Sequence, residues 1–125
     1  MKGRIRDDLR IKPRSLEVLR KAMLRDVEDQ VDGGGKLAAV PGLRICAKTG
    51  TAQNERDGKI DLSNHTTWFL SFAPYENPRY AVVVMCENGG SGGQTCAPIA
   101  HDIYQAIQQQ EKKNATKPDT LAQTR

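Results

Sequence analysis

Apolar and polar positions alternate along this chain in a way that separates five elements. After a charged lead-in, residues 1–14, in which Ile5, Leu9 and Ile11 are the only aliphatics, Leu16, Leu19, Ala22, Met23 and Val27 follow a three-four spacing. That spacing predicts an amphipathic helix to about Glu28, with Pro13 at or ahead of its first turn and Ser15 as N-cap. Gly33-Gly34-Gly35 ends it, Lys36 to Val40 reads as a loop or short turn, and Pro41-Gly42 restarts the chain in extended form. Leu43 to Gln53 is the first predicted strand. Asn54 to Asn64 is polar, with Asp57-Gly58 as turn signal, and reads as an exposed hairpin loop. Thr66 to Ala73, aromatic and β-branched, is the second strand, and Pro74 to Arg79 turns the chain. Tyr80 to Glu87 is the third strand; its run Ala81-Val82-Val83-Val84-Met85-Cys86 implies burial on both faces. A glycine-rich stretch, Asn88 to Gly93, leads into a helix from about Thr95 to Gln109.

Short connections make neighbouring strands pair, so the expected fold class is α+β: helix, three-stranded antiparallel meander, helix. The second helix is expected to pack one sheet face through Ile99, Ile103, Ala106 and Ile107, with the first helix on the other face. The folded part is expected over residues 15–110, and 111–125, polar and poor in aliphatics, are expected to be a disordered tail.

Charge changes the picture little. The net charge is +4, but residues 1–28 hold nine Lys/Arg against five Asp/Glu, whereas 29–110 hold six against eight. The basicity sits at the ends, without interleaved aromatics, so no nucleic-acid partner is expected. No run approaches a membrane span and no apolar signal segment follows Met1, so as it stands the chain is expected to be soluble and untargeted. Cys46, Cys86 and Cys96 lack zinc-site spacing with each other or with His65 and His101, and no metal or cofactor is expected. The strand, glycine loop and helix around Gly89–Gly93 resembles a phosphate cradle in outline. It lacks the lysine and Ser/Thr that end such a loop and fits no GxGxxG register.

Candidate chemistry centres on Lys48-Thr49-Gly50-Thr51. On a strand Lys48 and Gly50 face one way and Thr49 and Thr51 the other, while twist and a bulge can bring a lysine head and the next hydroxyl to one groove. Gly50 lacks the Cβ that would hold a ligand off the backbone. Such an edge can hold an anionic, peptide-like ligand.

Several segments in order then resemble one family. Lys48-Thr49-Gly50-Thr51-Ala52-Gln53 is followed by Trp68-Phe69-Leu70-Ser71-Phe72-Ala73-Pro74 and by Asn77-Pro78. Ala81-Val82-Val83-Val84 runs into Glu87-Asn88-Gly89-Gly90, and Ala97-Pro98-Ile99-Ala100 precedes Ile103-Tyr104. Together, over Ser15 to Gln108, they resemble the C-terminal end of the transpeptidase domain of class B penicillin-binding proteins, the elongation type above all. The resemblance implies a serine acyl-transfer enzyme that cross-links peptidoglycan stem peptides and is acylated by β-lactams. It implies that Lys48 supplies positive field for the donor carboxylate and the proton network, and that Thr49 hydrogen-bonds that carboxylate. Gly50 would admit the substrate, and the backbone N–H of Thr51 would be one of two oxyanion donors. It also implies an enzyme anchored in the inner membrane and facing the periplasm or cell wall.

The nucleophile is absent. None of Ser15, Ser63, Ser71 and Ser91 has lysine three residues on or asparagine two residues on. In the family's order those motifs fall upstream of Met1, so the expectation is a C-terminal part of the domain, inactive alone, whose partner is the N-terminal part. The family places a further strand beside Ala81–Glu87; without it, that edge invites self-association or a strand borrowed from residues 4–11. The alternative is a stand-alone, non-catalytic module that binds D-Ala-D-Ala peptides or a protein partner.

Overall fold

The computed structural model describes Asp8 and residues 10–56 and 59–116, with backbone alone at 54–56 and 59–64. Helix α1 is Pro13–Glu28, β1 is Cys46–Arg56, β2 is Lys59–Ala73, β3 is Tyr80–Gly89 and α2 is Ala97–Ala115. A 3-10 turn occupies Lys36–Ala38 and a π-turn Gly92–Cys96. The three strands pair antiparallel in the order β1-β2-β3, the meander expected. Expected lead-in residues 1–7, Leu9, Asp57-Gly58 and residues 117–125 lie outside the described residues, as does most of the borrowed strand at 4–11.

Helix α1 begins at Pro13, whose fixed φ suits a first turn, with Lys12 and not Ser15 in the N-cap position. Ser15 is already inside the helix, its N–H bonded to the Lys12 carbonyl at 2.9 Å. The expected apolar stripe is only half used. Leu24 and Val27, near the C-terminal end of the helix, are buried, whereas Leu16 and Leu19 in its N-terminal half are exposed. Arg20 fastens its middle: the guanidinium donates to the Tyr75 carbonyl and lies over the rings of Phe72 and Tyr75. Arg44 ties the helix end to the β2–β3 turn, with 2.9 Å to Glu28 and 2.7 Å to Glu76.

Cross-strand register fixes the two sheet faces. One carries Ala47, Thr49 and Thr51 beside Ser71, Phe69 and Thr67, with Val82, Val84 and Cys86 beyond. The core lies on this face, where Phe69, Ala47 and Val84 meet Val27 of α1, Ala38 and Val40, and Ala97, Ala100 and Tyr104 of α2. The packing of α2 corrects the expectation. Ile99, Ile103 and Ala106 are exposed, and the buried stripe is 97, 100 and 104, with Ile107 partly covered. Two alanines let the helix come close to the sheet, and the Tyr104 ring fills what remains.

The opposite face carries Lys48-Leu70-Val83 and Gly50-Trp68-Met85 as rows. Helix α1 does not cover it; it packs along β1 and touches this face at its Cys46–Phe72 corner through Arg20. Val83 is therefore 59% exposed and Met85 46%, so the Val-rich strand is not buried on both faces as expected.

In the polar stretch, residues 54–56 and 59–64 are strand and not loop. Strand β1 runs on to Arg56 and β2 starts at Lys59, with a register shift between Gln53 and Asn54. Ladder hydrogen bonds need no apolar side chains, which is why composition missed them. Helix α2 likewise continues past Gln109 to Ala115, into the expected tail. Its Gln/Glu/Lys/Ala content favours helix, and Glu111 accepts from the Tyr80 hydroxyl at 2.5 Å.

Candidate functional site

Strand β1 is one edge of the sheet, and Lys48-Thr49-Gly50-Thr51 lies in its regularly paired part, ahead of the bulge. Lys48 is exposed on the open apolar face, beside Leu70. Its ammonium bends back to the strand and donates to the Thr49 carbonyl at 2.8 Å. Thr49 and Thr51 project to the other face and line a cavity of about 350 Å³. Lys48 and Gly50 are not among its lining residues. The motif thus divides across the strand: two hydroxyls in the cavity, and a cation that meets them only around the strand edge.

Two glycine-rich loops complete the cavity, one bringing Gly34, Lys36 and Leu37 and the other Ser91 to Gln94. Sequence reasoning missed both, reading the first as a helix stop and the second as a plain connection. The clue available was two runs of glycine on either side of one chemically marked strand. Glycine is required where the loops close in. A Cβ on Gly92 would stand 2.9 Å from the Gly50 carbonyl oxygen and 3.1 Å from its nitrogen, and closer still to the Trp68 carbonyl. A Cβ on Gly93 would meet the Gly34 carbonyl, so the two loops touch backbone to backbone.

Acidic side chains hold the first loop. The Gly34 N–H donates to Asp26 Oδ1 at 3.2 Å and the Gly35 N–H to the Asp26 carbonyl at 2.9 Å. Asp29 accepts the N–H groups of Val31 and Asp32, both at 3.0 Å. Those two backbone donors, Asp32 first, hold the Asp29 carboxyl below its usual range. Lys36 is engaged elsewhere, its ammonium 2.8 Å from the Val31 carbonyl. On the second loop the Ser91 hydroxyl accepts the Gln94 N–H at 3.3 Å and caps the π-turn. Below the sheet, the Tyr104 hydroxyl meets Ser71 Oγ at 2.9 Å, and Ser71 donates to the Val82 carbonyl at 2.9 Å. Burial raises the Tyr104 phenol.

The model of the penicillin binding protein transpeptidase domain matches residues 3–105. The chain belongs to this family. Among curated relatives it is 35% identical to the peptidoglycan D,D-transpeptidase MrdA of Haemophilus influenzae over 113 residues, covering 78% of this chain and 17% of that protein. It is 38% identical over 81 residues to the peptidoglycan D,D-transpeptidase PbpA of Mycobacterium tuberculosis, covering 58% of this chain and 16% of that one. The chain thus spans about one sixth of the length of these relatives. Among solved structures, penicillin-binding protein 3 of M. tuberculosis in complex with ampicillin superposes with a TM-score of 0.71 at 30% identity, covering 85% of this chain and 26% of that one. The transpeptidase domain of FtsI4 from Legionella pneumophila gives 0.64 at 27% identity, covering 78% and 37%. The fold is that of part of a penicillin-binding transpeptidase domain. Among the described residues no helix is long and apolar enough to cross a membrane, and no group of three or more His, Cys, Asp and Glu is arranged to hold a metal ion.

Proposed function

We propose that this chain supplies the lysine-bearing wall of a peptidoglycan D,D-transpeptidase cleft and that the reacting serine comes from residues outside these 125. The observation that carries the reading is the placement of Lys48 to Thr51 on an open sheet edge, with both threonine hydroxyls in a cavity. Lys48 supplies the field for the terminal carboxylate of the stem peptide, or for the carboxylate of a β-lactam, and Thr49 binds it. Gly50 keeps the strand bare for the ligand backbone. Residues two apart on a strand share a side, and Thr49's carbonyl takes the Lys48 ammonium. Thr51's N–H then faces the same edge, as an oxyanion donor must.

In the reaction the incoming serine hydroxyl adds to the carbonyl before the terminal D-alanine. Its proton passes to a neighbouring base, the C–N bond breaks and D-alanine leaves with a proton. The oxyanion that forms transiently is stabilised by Thr51 N–H and by the serine's own N–H. None of the serines of this chain carries the S-x-x-K or S-x-N pattern, so the chain alone is proposed to be inactive. The bare rows Leu70-Val83 and Trp68-Met85 support completion of this face by the rest of a transpeptidase domain, which is the partner proposed. Left open, that face and the outer edge of β3 promote self-association. The wider setting proposed, from the relatives, is peptidoglycan synthesis in the cell wall.

A fluorescent penicillin tests the assignment. Incubated with the full chain alone, it leaves no covalent label. Co-folded with a segment of a relative's transpeptidase domain bearing S-x-x-K and S-x-N, the chain restores labelling on that segment, and Lys48→Ala then lowers it at least about tenfold. A label mapped to Ser15, Ser63, Ser71 or Ser91 of the lone chain overturns the proposal.

A further inference from the structure

Thr67 stands at the centre of a cluster that the transpeptidase reading does not use. It is fully buried and pairs across the sheet with Cys86. Its hydroxyl lies 3.4 Å from the Cys86 carbonyl oxygen, to which it donates, and 3.3 Å from the Cys96 sulfur. The Cys96 thiol donates in turn to the Thr67 carbonyl at 3.4 Å. Directly paired residues on antiparallel strands present their side chains to one face. Cys86 and Cys96 therefore flank a single threonine on the core face. Hydrogen bonding with the Cys96 thiol, ahead of burial, raises the Cys86 thiol above its ordinary range.

Their settings differ in a useful way. Cys96 has no exposed surface, whereas Cys86 is partly exposed, and both are free thiols. Between them runs the 87–95 connection, which includes Ser91, Gly92, Gly93 and Gln94 of the cavity wall. We propose that Cys86 and Cys96 form a dithiol that closes to an intramolecular disulfide by exchange with a small external disulfide of the glutathione class, pinning the cavity wall between them. This does not depend on the transpeptidase assignment.

The exchange proceeds in two displacements. The Cys86 thiolate attacks one sulfur of the external disulfide, forming a mixed disulfide and releasing one thiolate that takes up a proton. The Cys96 thiolate then attacks Cys86 Sγ, expels the second small thiol and leaves the Cys86–Cys96 bond. Two protein thiols are oxidised, and one external disulfide is reduced to two thiols. The raised Cys86 thiol makes the first step faster as pH increases through the alkaline range.

Cys46 provides an internal control. It lies at the other end of the sheet, fully buried, and burial pushes its thiol up to about 11. The native full chain is treated with excess oxidised glutathione and examined by intact mass and peptide mapping. Wild type loses the mass of two hydrogens, with Cys86 and Cys96 linked. Cys46→Ser behaves as wild type, and Cys96→Ser stops at a glutathione adduct on Cys86. Amide exchange across 87–95 slows at least about fivefold after oxidation, because the link restrains the connection. A bridge that includes Cys46, dimers linked between chains without the internal bridge, or a wild-type chain that stops at the adduct overturns the dithiol. Unchanged exchange across 87–95 in the bridged chain overturns the pinning. Should Cys96→Ser not fold, the wild-type map and Cys46→Ser decide the matter.

Discussion

Replacing Gly92 by alanine would drive a methyl group into the strand that carries the candidate site. The new Cβ would lie 2.9 Å from the Gly50 carbonyl oxygen and 3.1 Å from the Gly50 nitrogen, with the Trp68 carbonyl nearer still. All three obstacles are backbone in a paired ladder, so none can rotate away. Either the π-turn lifts off the sheet or β1 and β2 shift locally. Overpacking of this kind costs about 1–3 kcal/mol. For a domain of about this size that is a fall in melting temperature of roughly 5–15 °C. Gly50→Ala is the matched comparison. Its Cβ would meet only the Trp68 Cβ, at 3.4 Å, an ordinary contact on the exposed face. Stability should then hold or rise slightly, by about 0.4–1 kcal/mol, since alanine restricts the unfolded chain. Urea denaturation followed by the fluorescence of Trp68, the single tryptophan, reads both variants. A Gly92→Ala midpoint equal to wild type, or one no lower than that of Gly50→Ala, refutes the close approach that builds the cavity wall.

Two further predictions concern the supports of the site. The Asp29 carboxyl is held low by backbone donors, so its contribution is complete above the ordinary aspartate range and fades as pH falls through the lower, folded value. Protection of the Val31 and Asp32 amides, taken against the intrinsic exchange rate at each pH, should therefore fall in acid, and Asp29→Asn should remove most of that acid dependence. In the buried Tyr104-Ser71-Val82 chain, Tyr104→Phe should cost about 0.5–1.5 kcal/mol, because Ser71 can still donate to Val82. Ser71→Ala should cost about 1–3 kcal/mol by taking away the Tyr104 hydroxyl's partner, and the double variant should cost less than the sum in urea titrations.

The order of elements could be read from the sequence because each main segment declared its period or its breaker: Pro13 opening α1, three glycines after it, Pro74 and Pro78 between β2 and β3. What escaped was structure that hydrophobicity does not report. The ladder that pairs 54–56 with 59–61 is mostly polar, since backbone pairing at a sheet margin requires nothing apolar. The buried stripe of α2 was misjudged by one helical row, because Ala97 and Ala100 are small and easily ranked behind Ile99 and Ile103. Close packing rewarded the smaller residues. At the site, the motif's residue types and strand were evident, and so was the alternation that separates Lys48 from Thr49. The facing wall was not, because glycine announces itself only as a break. Here its value is that the 91–94 and 33–35 loops can touch backbone to backbone.

The Val-rich strand deserves a different explanation from the other departures. Ala81 to Cys86 has the composition of a strand covered on both sides, yet every second residue is bare. The bare positions are not scattered: Val83 stands in register with Leu70 and Lys48, and Met85 with Trp68 and Gly50. A sequence that spends branched and aromatic residues on one contiguous face encodes a cover for it, even where its own helices lie elsewhere. On the proposed reading this explains why the reactive lysine borders that face. The residues that bury Leu70 and Val83 are then those that bring the serine to Lys48, so completing the core and closing the cleft are one event. A cover that buried Trp68 while leaving penicillin labelling absent would separate the two, and with them the link between the apolar rows and the chemistry.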